Sequence, residues 1–190
     1  DTLHADTQGQ NEPVFGLSHL LGIKLMPRIR NWKDLKFYRY SPKARYSHID
    51  PIFNANVNWK LIQTHWQELM QVVLSIRAGK LMPSTILRKL GTYSRQNSLY
   101  LAFRELGRVI RTVFLLNYLS DEELRRQIQS VTTRIEAYNG FSKWLVIGKH
   151  GTITTNDPIE QEKRIKYIDV LANAVIIQNA VDMTRILREL

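Results

Sequence analysis

The chain has 190 residues, 44% of them hydrophobic, and no cysteine. This length suffices for one domain with a packed core, and the composition excludes disulfides, cysteine-ligated zinc and thiol catalysis. The formal net charge of +10 points to an anionic partner, nucleic acid before a membrane surface: no apolar run approaches a membrane span, and the polar first ten residues lack the core of a signal peptide, so a soluble, cytoplasmic protein without a membrane partner is expected.

The opening segment reads as strand, helix, strand. Leu3-His4-Ala5 ends a short strand, and Val14, Phe15, Leu17, Leu20 and Leu21 give Glu12–Leu21 a helical stripe that Gly22 stops. Ile23-Lys24-Leu25-Met26 alternates as a half-buried strand, which Pro27 confines to an edge or ends. Residues 31–56 look irregular; their aromatics, Trp32, Phe37, Tyr38, Tyr40 and Tyr46, either pack the loop onto a core or stack on bases. Residues 57–78 predict one amphipathic helix through Trp59, Ile62, Trp66, Leu69, Val73 and Ile76, with Gly79 as its stop.

Pro83-Ser84-Thr85 opens another helix, and a longer one runs from about Ser98 to Leu119. Ser120, followed three residues later by Glu123, is a capping-box pattern and starts a helix reaching about Leu145. Gly148–Gly151 reads as a turn, and Asp157-Pro158-Ile159-Glu160 starts a last helix to about Leu190. The fold class is therefore mainly α with a small β portion. Two strands make no stable sheet alone, so more strands upstream or pairing in an oligomer is expected.

Positive charge is concentrated in two blocks. Residues 24–49 hold eight lysines and arginines against Asp34 alone, and residues 77–111 hold eight against Glu105 alone. In the Ser98–Leu119 helix, Arg104, Arg108 and Arg111 recur at steps of four and three and share a face flanking the apolar stripe. They read as DNA backbone contacts, with a solvated basic face as the alternative. Lys89 and Arg95 join them, and Arg28 and Arg30, alternating after a strand, face one side together.

Chemistry is left to carboxylates. There is no Gly-rich phosphate loop and no Gly-x-Ser-x-Gly elbow, and His4, His19, His48, His65 and His150 lack metal-ligand spacing. Asp6 follows a strand, where its oxygens can reach a Mg²⁺ ion; the alternative is an ordinary turn aspartate. Glu136 sits at the edge of its helix's apolar stripe with Thr132, Thr133, Asn139 and Gly140 one turn away, small or polar neighbours that let a ligand approach; the alternative is a solvated helix glutamate.

An ordered set of segments carries a resemblance over nearly the whole chain: His4–Gly9, Val14–Gly22, Pro27–Arg30, Leu74–Gly79, Leu87–Gly91, Phe103-Arg104-Glu105-Leu106-Gly107-Arg108-Val109-Ile110-Arg111-Thr112, and Glu136–Asn139. The set resembles the catalytic DDE domain of the Tn-three family, the transposases of replicative class II transposons. Thr133-Arg134, where the family often has Asn-Lys, and Gln8, where histidine is common, depart from its pattern.

The resemblance implies a partial ribonuclease-H-like α/β fold interrupted by a helical insertion. Residues 1–40 would be part of the core, 41–120 the basic insertion, and 121–190 the helices that complete the core. Asp6 matches the second aspartate and Glu136 the glutamate of a catalytic and metal-binding triad; the first aspartate would precede residue 1. The implied activity is Mg²⁺-dependent DNA nicking and strand transfer on transposon ends and target DNA, by a bacterial protein acting on DNA, with a homodimer possible. Two acids of three imply weak Mg²⁺ binding and little activity from this chain alone. The alternative is a non-catalytic DNA-binding or assembly module from a truncated transposase.

Overall fold

A computed structural model describes residues 1–92, 97–146, 153–155 and 157–189, with the side chains of residues 8 and 89–92 left aside. The chain divides into two compact units, Asp1–Thr132 and Thr133–Leu190.

The first unit opens with β1 (Thr2–Ala5), a 3-10 turn at Thr7–Gln10, α1 (Glu12–Leu20) and β2 (Lys24–Pro27). β1 and β2 pair in parallel, from Thr2 opposite Lys24 to Ala5 opposite Pro27. Parallel neighbours need a crossover, and α1 supplies it. Pro27 is the last residue of β2, as its missing N–H demands. Gly22 and Gly79, predicted as helix stops, take φ of 78° and 69°, left-handed values that side chains resist.

The stretch expected to be irregular contains β3 (Phe37–Arg39) and β4 (Phe53–Asn56), paired in parallel with an irregularity between Phe37 and Tyr38. Such short strands carry too few residues to show alternation. Arg39 organises the link between them: Nη1 donates to the Phe53 carbonyl at 2.6 Å, and Nη2 donates to the Asp50 carboxylate at 2.9 Å. That guanidinium holds the half-buried Asp50 carboxyl below its ordinary range. Tyr46 stacks on Phe53 with centroids 4.5 Å apart. Most of the segment's aromatics thus pack the loop down, whereas Trp32 and Tyr40 stay exposed.

The single helix expected over 57–78 is two, α2 (Trp59–Thr64) and α3 (Trp66–Arg77). They break at His65, whose φ and ψ of −102° and 13° leave the helical region and whose Nδ1 lies 2.6 Å from Glu68 Oε2. α4 (Pro83–Thr92) follows, then α5 (Ser98–Ser120), capped by Asn97 Oδ1 accepting the Tyr100 N–H. α6 (Glu122–Leu145) is capped by Asp121, not Ser120: Asp121 Oδ1 accepts the Leu124 N–H, while Ser120 belongs to α5 and its hydroxyl donates to the Asn117 carbonyl.

α5 is the axis of the first unit, with α1 lying along it. One cluster beside it gathers Phe15, Leu25, Phe37, Phe114, Leu115 and Ile128; a second gathers Leu17, Leu69, Val72, Ala102, Phe103 and Leu106. Sequence spacing predicts an apolar face on α5 through Leu101, Leu106, Val109, Ile110, Val113, Leu116 and Leu119; Leu106 is buried as expected, but Val113 and Leu119 are exposed, and Phe103, Phe114 and Leu115, outside that face, are buried.

The second unit is the C-terminal half of α6 together with α7 (Pro158–Glu189). Asp157 Oδ1 accepts the Ile159 N–H, the expected cap. Tyr138 of α6 donates its hydroxyl to Asp169 of α7. By length and composition α7 is apolar enough to cross a membrane. The sequence shows no unbroken apolar run there, because Asn173, Gln178, Asn179, Asp182 and Arg185 interrupt it.

Candidate functional site

Asp6 is exposed and directly follows β1. Its carbonyl accepts the Gly9 N–H at 3.0 Å, which closes the 3-10 turn. The turn lies on the strand ends: a Cβ on Gly9 would stand 2.5 Å from Ala5 Cβ and 3.2 Å from Pro27 Cβ. The Arg28 N–H donates to the Ala5 carbonyl at 2.9 Å and extends the β1–β2 pairing past Pro27. Arg28, half-buried, and Arg30, exposed, bracket buried Ile29.

Behind this turn lies a polar network that the sequence reading missed. Glu12, in the first turn of α1, accepts from three side chains. Arg108 Nε reaches Oε2 at 2.9 Å, Arg111 Nη2 reaches Oε1 at 2.7 Å, and the Tyr38 hydroxyl reaches Oε1 at 3.2 Å. Arg108 also pairs with Glu105, whose other oxygen accepts the Asn58 N–H at 3.2 Å. Arg111 Nη1 donates to the Gln10 carbonyl at 3.2 Å. The Arg108 guanidinium stands over the Tyr38 ring, 4.8 Å from its centre. Burial and the Glu12 charge push the Tyr38 phenol up. Burial alone would lower Arg108, but Glu12 and Glu105 outweigh it and hold the guanidinium above its ordinary value.

Glycine makes the network possible. A Cβ on Gly107 would lie 1.6 Å from the Glu12 carbonyl oxygen, and one on Gly16 2.5 Å from the Phe103 carbonyl oxygen. α1 and α5 therefore touch backbone to backbone, which brings Glu12 within reach of Arg108 and Arg111. The side chains of Arg108 and Arg111 are only 22% and 13% exposed. The row expected to face DNA thus turns two of its guanidinium groups onto Glu12 and Glu105. Arg104, the third, is half-buried. Lys89 lies on α4 with its side chain outside the described residues, and Arg95 lies outside them altogether.

Glu136 is exposed on α6 in the second unit, four positions beyond buried Thr132. In the same unit, Asn139, Ser142, Lys143, Val146 and Ile168 line a concavity of about 200 Å³ between α6 and α7. Asp169 holds the Tyr138 phenol above its ordinary value through their hydrogen bond. Asp6 and Glu136 thus belong to different units. Among the described residues no group of three or more His, Asp or Glu is placed to hold a metal ion. The donors themselves suit a hard divalent cation, being exposed carboxylates, but they are two.

The network's signal was present in the sequence. Glu105 is the one acid among the eight lysines and arginines of residues 77–111, and Gly107 interrupts a long helix where only close backbone approach favours glycine.

The family model described as Tn3 transposase DDE domain matches residues 1–190. The chain is 39% identical over 181 residues to the transposase for transposon Tn1546 of Enterococcus faecium, covering 95% of this chain and 18% of that protein. It is 36% identical over 182 residues to the transposase for transposon Tn21 of Escherichia coli, covering 96% and 18%. To the transposase for transposon gamma-delta of Escherichia coli (strain K12) it is 30% identical over 178 residues, covering 94% and 18%. The chain spans less than a fifth of the length of these relatives.

Proposed function

The chain belongs to the Tn3 transposase DDE domain family, and on that premise we propose that it supplies two of three catalytic carboxylates, Asp6 and Glu136, for Mg²⁺-dependent nicking and strand transfer on DNA. The observation that carries this reading is the parallel β1–α1–β2 unit with Asp6 exposed just past the end of β1. An acid so placed lies past the end of a strand, where a substrate phosphate would have access. The unit is read as part of a ribonuclease-H-like core, with 1–40 and 121–190 contributing to that core and 41–120 inserted between.

Asp6 and Glu136 would hold the cation, and their hard oxygens match it. When bound, it supplies charge stabilisation to the attacking and leaving oxygens of an in-line displacement. Arg28 and Arg30, beside Asp6 in the same unit, would grip the DNA backbone, with Lys89, Arg95 and Arg104 adding charge from the helical region. Such contacts give affinity rather than sequence choice. The partners are transposon ends and target DNA, the setting is the bacterial cytoplasm without a membrane, and a homodimer fits paired ends.

The 190 residues alone, with two acids, are expected to bind Mg²⁺ weakly and cleave little. The test is metal-dependent nicking of a labelled transposon end by the protein that carries this chain. Asp6→Ala and Glu136→Ala should each abolish nicking while leaving DNA affinity within twofold; nicking retained by either variant would remove that acid from the site.

One observation favours a second reading, a non-catalytic DNA-binding or assembly module: Val170, Ile177 and Leu187 of α7 are 68%, 63% and 72% exposed. Metal-independent DNA binding with no cleavage by the wild-type protein selects that reading.

A further inference from the structure

We propose that Arg108 and Arg111 are positioning residues: from α5 they clamp Gln10 and Glu12, and so fix the turn that aims the Asp6 carboxylate. The inference rests on the catalytic reading of Asp6 for its purpose, but not for its geometry.

The path is continuous. The Asp6 carbonyl accepts the Gly9 N–H at 3.0 Å, and Gly9 is pressed against Ala5 and Pro27 with no room for a Cβ. Gln10 ends the same turn. Its side-chain Nε2 donates back to the Thr7 carbonyl at 3.1 Å, while its own carbonyl accepts from Arg111 Nη1 at 3.2 Å. Two residues on, Glu12 receives Arg108, Arg111 and Tyr38. The turn is therefore pinned at both ends: by the strand ends on the Asp6 side and by α5 on the Gln10 side.

The clamp is itself anchored. Arg108 is tied to Glu105, and Glu105 to the Asn58 N–H. The Thr112 hydroxyl donates to the Arg108 carbonyl at 2.7 Å and accepts the Tyr38 N–H at 3.2 Å. Three elements distant in sequence converge on Glu12: α1, β3 and α5. A short turn next to a catalytic acid frays easily, and a charged fork from a rigid helix resists that. Ligand-bearing groups depend on such outer support for their aim. A DNA phosphate at Arg111 would compete with the Glu12 carboxylate that already pairs with this 13% exposed side chain.

Three measurements on the protein that carries this chain decide the matter. Hydrogen exchange at the Gly9 amide reports the turn without metal or DNA. In Arg111→Gln it should quicken at least tenfold, with amides of α3 unchanged. Turnover at saturating DNA should fall at least tenfold, while DNA affinity and its salt dependence stay within twofold of wild type; Arg111→Lys should recover part of the turnover. Unchanged Gly9 exchange overturns the proposal, as does unchanged turnover. Weaker DNA binding with a salt slope reduced by about one contact also overturns it, because that is the signature of a phosphate ligand. If Arg111→Gln fails to fold, Tyr38→Phe removes only the hydroxyl that reaches Glu12; it should quicken Gly9 exchange at least twofold, and wild-type exchange there sinks the clamp. If the wild-type protein shows no metal-dependent cleavage, the catalytic reading fails, and Gly9 exchange still decides whether the clamp exists.

Discussion

α5 and α7 are both long helices, of 23 and 32 residues, yet each inverts the usual placement of its side chains. α5 turns charge inward: Glu105 is 5% exposed, and Arg108 and Arg111 close onto Glu12. α7 turns apolar groups outward: Ile177 and Leu187 are 63% and 72% exposed, and Ala172 is its buried residue among those described. A helix surrounded on several sides can bury charge when each charged group finds a counter-charge and hydrogen bonds. A helix with one neighbour buries one narrow strip whatever its composition. The number of neighbours, rather than the residue types, sets what each helix exposes.

The comparison breaks most sharply at the α5 core. Phe103 is 1% exposed and lies in the cluster with Leu69 and Leu106. Phe103→Ala should cost about 4 kcal/mol, the transfer of a ring plus the cavity it leaves, read as a fall in the denaturant midpoint at constant slope. A loss near 1 kcal/mol would mean that α5 is far less enclosed. Gly107→Ala comes next. Its Cβ would meet Glu12 backbone rather than a movable side chain, at 1.6 Å, so α1 and α5 must part. A loss of about 3 kcal/mol is expected, and a neutral outcome would deny the close contact on which the network depends.

Glu12→Gln probes the buried charge itself. It keeps the shape and removes the countercharge of two guanidinium groups that are 22% and 13% exposed. A loss of roughly 2 kcal/mol is expected, below the cost for a fully buried pair because water still screens part of the network. The same change alters Tyr38. Burial and Glu12 raise its folded pKa above the ordinary 10.0, so the folded protein holds that proton more tightly than the unfolded chain. That contribution to stability is complete below the unfolded value and is lost as pH rises through the folded one. Removing the Glu12 charge should bring the phenol down, seen as earlier tyrosine ionisation in an ultraviolet titration.

The β1–α1–β2 unit was legible because strand alternation, a helical stripe and Gly22 agree over residues 3–27. The Asp157 cap and the Gly79 stop were legible for the same reason. The break at His65 was not, because Trp59, Ile62, Trp66 and Leu69 keep helical spacing across it. β3 and β4 escaped because three or four residues give no period. Arg108 and Arg111 were placed on one face correctly by spacing, but spacing says nothing about what stands opposite. Glu12 lies 96 residues from Arg108 in the chain, and only the Gly16–Gly107 contact brings it there. Asp6 and Glu136 stood out through resemblance alone, since an exposed acid after a strand and an exposed acid on a helix are ordinary by local criteria.

The smallest expected effect lies on α7. Ile177→Ser replaces an apolar group already 63% in water, so little burial is lost on folding. The change should stay within about 0.5 kcal/mol of wild type, as for surface positions generally. Helix propensity argues the same way, because isoleucine and serine differ little there. A loss above about 1.5 kcal/mol in the protein that carries this chain would show that Ile177 is covered there, and the contrast with α5 would then shrink to one of partners outside these 190 residues. A result near zero would keep it, leaving α7 a helix held by Ala172 and the Tyr138–Asp169 bond on one side and by solvent on the other.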